Sequence, residues 1–333
     1  MSGPEIVHKV RGWLGSATLA FCLSAAALAQ GKYPDRPVRL VVPFPPGGET
    51  DLVGRLWAQA VMPHLGGTIV VENKAGAGGA IGSTEVARAK ADGYTLLSGQ
   101  TTTHVINPIA MSKPPYDAQR DFVPIGVIST TPTAILVNPS FPATNLRELA
   151  ALAKANPGKY SFGSAGSGTI TNLTGELFKI QAGGLNIQHV PYKGGNPAMQ
   201  DVIAGHIPMA TLILSSTMLG HHRSGKLRIL AVNSDARVRA APDIPTAIES
   251  GIDGMRVQVF NAIFAPAGTP NEIVQALHQA TAKAKGEALL RDGLEKAGAE
   301  LVADSSPEAA ARYIREEIAR WTPIVKASGF KVE

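Results

Sequence analysis

Between residues 38 and 98 the chain passes three times through a short, apolar, strand-like stretch, and specialised loops separate these stretches from helical patterns. Val38-Arg39-Leu40-Val41-Val42, Thr68-Ile69-Val70-Val71-Glu72 and Tyr94-Thr95-Leu96-Leu97-Ser98 have the length and composition of buried strands. Pro43-Phe44-Pro45-Pro46-Gly47-Gly48 cannot extend the first of them, and Leu52, Leu56 and Ala60 then recur at helical spacing over residues 51–62. A glycine-rich turn follows the second, leading into a predicted helix from Ile81 to about Ala89. Such alternation specifies a parallel sheet wrapped by helices.

A similar order returns beyond residue 134. Strands are predicted over 134–137, 160–163, 188–191, 209–214 and 227–232, with helices over 171–182 and 196–204. Asn145 with Glu148 three residues later forms a capping-box pattern. The C-terminal stretch is mainly helical, with Thr269-Pro270-Asn271-Glu272 and Ser305-Ser306-Pro307-Glu308 as start signals. Two α/β lobes are the simplest account of a 333-residue chain built this way.

The first thirty residues form an address. His8, Lys9 and Arg11 precede an apolar stretch over 13–28, and Ala27-Leu28-Ala29 supplies a small-x-small cleavage signal. A signal peptide over 1–29 is expected, cleaved after Ala29, with export to the periplasm. Gly15, Ser16, Thr18 and Ser24 interrupt the stretch, which is short for a membrane span of about 20 strongly apolar residues. The one cysteine, Cys22, falls inside it, and the bulky Phe21 before it argues against a lipid anchor. The mature chain should therefore hold no disulfide and no thiolate metal site. Losing Lys9, Arg11 and Glu5 takes the 31 basic and 26 acidic residues to 29 and 25, a net charge of +4. No basic run interleaved with aromatics appears, so no nucleic acid partner is expected. The mild surplus favours encounter with anions.

Open α/β sheets bind ligands beyond the carboxyl ends of their strands. Four loops there are rich in glycine or hydroxyls: 43–51, 75–82, 100–108 and 161–171. Glycine admits close backbone approach, and a helix N-terminus adds unpaired donors with partial positive charge. Ser164, Ser167, Thr169 and Thr171 add hydroxyl donors, making a carboxylate cradle that needs no arginine. Asp51 is read as capping its helix and holding its loop, with direct ligand contact the lesser alternative. Asp201 stays open between the same two roles, and Pro197 in the first turn makes Asn196 the expected cap there.

Enzyme signatures are missing from these loops. Gly76 and Gly78 are followed by Ile81, and Gly166 and Gly168 by Thr171, so neither set completes a dinucleotide fingerprint. Neither Ser164 nor Ser167 sits in a G-x-S-x-G elbow. His221 and His222 would point about 100° apart on a helix, and His64, His104, His189, His206 and His278 lack metal-ligand spacing. No catalytic set, no metal and no cofactor are expected, although His104 does sit in a candidate loop.

In combination these loops resemble the tripartite tricarboxylate transporter receptors, the Bug or TctC family. The motifs, in chain order, are Pro43-Phe44-Pro45-Pro46-Gly47-Gly48-Glu49-Thr50-Asp51, Val71-Glu72-Asn73-Lys74-Ala75-Gly76-Ala77-Gly78-Gly79 and Thr103-His104-Val105-Ile106-Asn107-Pro108. Tyr160-Ser161-Phe162-Gly163-Ser164-Ala165-Gly166-Ser167-Gly168-Thr169, Val190-Pro191-Tyr192-Lys193-Gly194-Gly195-Asn196-Pro197-Ala198 and Phe264-Ala265-Pro266-Ala267-Gly268-Thr269-Pro270 follow. The resemblance implies a periplasmic binding protein-like clamshell of two α/β lobes, each a mostly parallel sheet flanked by helices. By that likeness lobe 1 comprises 30–132 plus 254–333 and lobe 2 comprises 133–253. It implies a monomeric receptor, not an enzyme, that delivers a small mono- or dicarboxylate to membrane permease subunits. Phe44, Gly47, Gly48 and Asp51 would hold the carboxylate with Ser164, Gly166, Gly168 and Thr169, partly through water. Thr102 and Thr103 would lie at the cleft, with Asp201 near its far wall.

Three positions depart from the family pattern. Asn172 stands where many relatives carry histidine, Thr169 replaces a common serine, and Phe260-Asn261-Ala262 replaces an aromatic followed by glycine. The pocket wall and ligand size are therefore left open. A sensory receptor serving a signalling protein, or a periplasmic enzyme acting on a carboxylate, are the alternative readings.

Overall fold

A computed structural model describes residues 33–327 and 331; the expected signal peptide lies outside the described residues. Strand β1 (Val38–Val42) runs parallel to β2 (Ile69–Asn73) on one side and β3 (Thr95–Gln100) on the other. Helix α1 (Glu49–Leu65) connects β1 to β2, and α2 (Ala80–Ala87) connects β2 to β3. After β3 the chain makes a wide helical turn over Thr102–Ile106 and a short α3 (Asn107–Ala110). It then enters β4 (Phe122–Val137), a strand of 16 residues.

Beyond β4 come α4 (Leu146–Ala155), β5 (Ser161–Ser164), α5 (Ile170–Gln181), β6 (Gln188–Pro191) and α6 (Gly195–Ala204). They are followed by β7 (Met209–Ile213), α7 (Ser216–Arg223), β8 (Arg228–Val232) and β9 (Gln258–Pro266). Helices α8 (Asn271–Ala284) and α9 (Ala288–Lys296), strand β10 (Glu300–Leu301) and the long α10 (Pro307–Ala327) complete the chain.

The sheet order is β2-β1-β3-β9-β4-β7-β5-β6, with β8 and β10 also paired to β4. Its outer parts are parallel, as the strand–loop–helix alternation demands, with β5 between β6 and β7. Its middle is antiparallel, because β9 returns between β3 and β4. Strand β4 serves two neighbourhoods. Residues 122–132 pair with β9, whereas Thr133 to Val137 pair with β7, starting at Ile213. Register slips between Pro124 and Gly126 and between Val127 and Ser129 bend the strand, as bulges do.

Three passages of chain are tied together at that change of partner. Thr133 donates its N–H to Val257 O (2.9 Å), Asn233 donates to Thr133 O (2.8 Å), and Val257 donates to Asn233 O (2.8 Å). Asn233 Nδ2 also reaches Thr133 Oγ1 at 2.9 Å. The buried apolar side chains form separate clusters. One is built on Val53, Trp57 and Val61 of α1 against Val274 and Leu277 of α8. Another packs Leu146 and Leu149 of α4 and Leu173, Leu177 and Phe178 of α5 around Phe162, and includes Val257 of this knot. Trp57 satisfies its indole N–H by donating to Thr281 Oγ1 at 3.1 Å.

Candidate functional site

The β1–α1 loop is shaped by its prolines and two glycines. Gly47 takes φ +77°, the left-handed region that glycine enters without a Cβ penalty. Gly48 is the N-cap of α1 with ordinary extended angles and no side-chain cap, so the first-turn N–H groups stay open beyond the strand end. Asp51, in that first turn, holds the loop from behind. Its Oδ2 accepts the Gly47 N–H at 2.9 Å, its Oδ1 accepts Asn73 Nδ2 at 2.9 Å, and Arg55 Nε donates to both oxygens at 3.0 Å. Asn73 Nδ2 also donates to Phe44 O at 2.9 Å. Burial alone would raise the Asp51 pKa, but the Arg55, Gly47 and Asn73 donors outweigh it and hold the carboxyl below its ordinary value. The cap is therefore Gly48, and Asp51 keeps only the loop-holding half of the role expected of it.

The β5–α5 loop is tied by hydroxyls. Thr169 caps α5, accepting from Asn172 N and donating to Gly166 O at 2.8 Å. Thr171 Oγ1 accepts the Ala165 N–H at 3.0 Å. Asn172, the departure from the family histidine, supports the loop by accepting the Gly168 N–H at 3.3 Å. Gly166 has φ +135°, and a Cβ there would stand 3.1 Å from Tyr192 O. Thr102 reaches over from the other side of the sheet, its Oγ1 accepting the Ile170 N–H at 3.1 Å.

Helix α6 starts two residues earlier than its proline suggests. Gly194, at φ +119°, is the cap, and Asn196 is free to donate Nδ2 to Gly47 O at 3.1 Å. The N-termini of α1, α5 and α6 thus open on one cavity of about 350 Å³. Gly48, Glu49 and Thr50 line it from α1, Thr169, Ile170 and Thr171 from α5, and Gly194, Gly195 and Asn196 from α6. Phe44, Pro45, Met199, Leu212 and Met218 give it apolar walls.

Of the residues singled out from sequence, Phe44, Gly48, Thr102 and Thr169 line this cavity. Gly47, Asp51, Gly166 and Gly168 shape the loops behind it. Ser164 is occupied by His189 Nε2 (2.7 Å) and by the N–H and C=O of Gly166. Thr103 is turned away, bonded to the Gln100 N–H, the Gln100 carbonyl and His104 Nδ1. Asp201 does not line the cavity; it accepts the Tyr192 hydroxyl at 2.6 Å and contacts His206 at 3.2 Å. His104 is a core residue stacked 3.7 Å from Phe264, and burial pushes its pKa down to about 3.

Sequence reasoning passed over Glu49. It is 5% exposed and lines the cavity. Its Oε1 accepts Thr131 Oγ1 at 2.6 Å and Asn261 Nδ2 at 2.7 Å, while Thr50 Oγ1 lies 3.5 Å from Oε2. Burial pushes the carboxyl up to about 7, against the opposing pull of those three donors. The available signal was an acid inside a loop otherwise suited to an anion. Asn261, the departure on β9, is thereby explained as its partner. Among the described residues no cluster of His, Cys, Asp or Glu could hold a metal, and no helix is long and apolar enough to cross a membrane.

Two α/β halves that share a sheet and enclose a cavity between helix N-termini define a solute-binding protein of the periplasmic type. The solved "Structure of periplasmic binding protein BugD" is 36% identical with a TM-score of 0.84, covering 90% of this chain and 99% of that one. The family described as "Tripartite tricarboxylate transporter family receptor", TctC, matches residues 53–330, and the chain belongs to it. Members of that family are extracytoplasmic solute receptors. Two further solved structures of similar chains hold organic acids. "R. palustris Rpa4515 with adipate" is 34% identical, TM-score 0.85, over 90% of this chain and 99% of that one. "MatC (Rpa3494) from Rhodopseudomonas palustris with bound malate" is 32% identical, TM-score 0.83, over 88% and 100%.

Proposed function

We propose that this protein captures a small organic carboxylate in the cavity between its halves and delivers it to the permease subunits of a tripartite tricarboxylate-type membrane transporter. The reading rests on one observation above others: three helix N-termini converge on a single cavity. Main-chain donors at such termini favour a negative group without a dedicated cation. The adipate and malate bound to the similar chains support the ligand class.

In this reading the halves are lobes of residues 30–132 plus 254–333 and of 133–253, acting as one copy. The exchange of β4's partners after Pro132 supports the first boundary. Phe44, Gly48, Thr102 and Thr169 meet the ligand, and Gly47, Asp51, Ser164, Gly166 and Gly168 keep the donors in place. The protein works in the periplasm after removal of residues 1–29 and performs no chemistry on its cargo. Charge-assisted hydrogen bonds contribute about 1.5–3 kcal/mol each. Four of them, less the costs of desolvation and closure, match the roughly 8 kcal/mol of micromolar binding.

Gly48 gives the direct test. Its backbone angles suit any residue, and the nearest atom to a Cβ there is Pro45 O at 3.5 Å. Gly48→Leu should fold normally, as judged by circular dichroism, yet lose calorimetric binding of every organic acid the wild type takes. Undiminished affinity in that variant rules the cavity out as the site.

A further inference from the structure

Glu49 is an acid at the mouth of a helix whose N–H groups suit an anion, and its surroundings explain what it is for. Every polar neighbour that touches it is a donor: Thr131 Oγ1 and Asn261 Nδ2 on Oε1, Thr50 Oγ1 at long range on Oε2. Asn261 commits its amide N–H to this contact and leaves its own buried Oδ1 without a partner. The environment is arranged for an accepting carboxylate. No lysine, arginine or histidine among the described residues forms an ion pair with it. Lys193 lines the same cavity, while Asp51 and Arg55, further along α1, are engaged with each other. A buried carboxylate without a cation is costly. Oε1 has two close partners, so Oε2 is the oxygen with capacity for another donor.

We infer that Glu49 receives the protonated amine of the ligand, making this cavity a receptor for an amino acid with an apolar side chain. The inference rests on the carboxylate-binding reading given above. In the bound state the ligand carboxylate lies on the N–H groups of the three helix ends. Its ammonium donates to Glu49 Oε2, and its side chain lies against Met199, Leu212, Met218 and Pro45. Because Glu49 belongs to the α1 terminus that holds the carboxylate, the amine must sit on the carbon next to the carboxylate or one further along. Burial holds the Glu49 proton up to about pH 7 in the ligand-free protein. Arrival of an ammonium expels that proton when binding occurs below this pH.

The experiment is titration calorimetry on the wild type and Glu49→Gln. The probes are leucine, methionine and phenylalanine, each against its amine-free counterpart: 4-methylpentanoate, 4-(methylthio)butanoate and 3-phenylpropionate. Adipate and malate serve as amine-free references. At least one amino acid should bind the wild type at least about tenfold tighter than its counterpart, the worth of one charged hydrogen bond. Glu49→Gln should erase that preference by weakening the amino acid alone. At pH 6, repeating the titration in buffers of different ionisation enthalpy should show proton release in the wild type and none in the variant. Equal binding of the paired acids, an unchanged ratio in Glu49→Gln, or proton uptake overturns the inference. Adipate or malate binding without any amino acid binding overturns it while leaving the carboxylate receptor intact. Binding by no probe overturns both.

Discussion

Asp51 and Glu49 stand two residues apart in one loop and have opposite chemistry. Asp51 is held ionised by Arg55, Gly47 and Asn73, whereas Glu49 is buried where its charge is disfavoured. Glu49 therefore makes stability depend on pH. Below about pH 4.5 its carboxyl is protonated in both the folded and unfolded chain, and its burial carries no penalty. As pH rises from there to about 7, the unfolded chain ionises while the folded one keeps its proton, so stability is progressively lost. The full difference is about 3 kcal/mol, reduced where the positive end of α1 favours the charged form. Glu49→Gln should thus be more stable than the wild type at pH 7.5 by about 1–3 kcal/mol, with the gap closing by pH 4.5. Denaturant melts at the two pH values check this, and equal melts at both would remove Glu49 from the account. Asp51's loop-holding role was legible because a short acid beside glycines in a first helical turn has few other uses. The burial of Glu49 was not, because Thr131 and Asn261, which create it, lie 82 and 212 residues away along the chain.

Helix starts were only partly written into the sequence: the cap at Asn145 is where its pattern puts it, but those expected at Asp51 and Asn196 are Gly48 and Gly194. Asn145 accepts the Glu148 N–H at 3.0 Å as its pattern requires, although Glu148 returns the bond to Thr144 N (2.7 Å) and not to Asn145. At α6 the same local reasoning fails by two residues, the cap being Gly194, while Asn196 is drawn to Gly47 on the other side of the cavity. Caps at the two kinds of helix should respond differently to removal. Asn145→Ala should lower stability by about 1 kcal/mol with ligand affinity unchanged, because α4 contributes nothing to the cavity lining. Thr169→Ala should lower stability similarly and also weaken binding by about tenfold or more, since its hydroxyl fixes Gly166 and the α5 terminus lines the site. Chemical denaturation paired with calorimetry separates these outcomes, and an unaffected affinity in Thr169→Ala would take α5 out of the cradle.

At the scale of the molecule, the parallel flanks follow from periodicity, but the middle of the sheet does not. Pro124, Gly126 and Pro132 break the pattern of β4, and its first half does not read as strand from the residues alone. It survives because bulges absorb the irregular positions and Gly126 packs against the Ser305 carbonyl with no room for a side chain. Those long-range partners are invisible to a local pattern, and they decide where the halves meet. Beyond the shared sheet and the Thr133–Asn233–Val257 knot, two cavity-spanning hydrogen bonds link the halves: Asn196 to Gly47 and Ile170 to Thr102. At about 1 kcal/mol each they favour the closed arrangement by roughly thirtyfold. Replacing both, with Thr102→Val and Asn196→Ala, should let the ligand-free protein open about the knot. Small-angle scattering should then show a larger radius of gyration for the ligand-free double variant than for the wild type. A bound acid at saturating concentration should bring both to the same compact value, because ligand contacts to both halves replace the lost bonds. If the radius of gyration of the double variant matches the wild type without ligand, and does not fall when ligand is added, the halves do not move and the cavity must fill by another route.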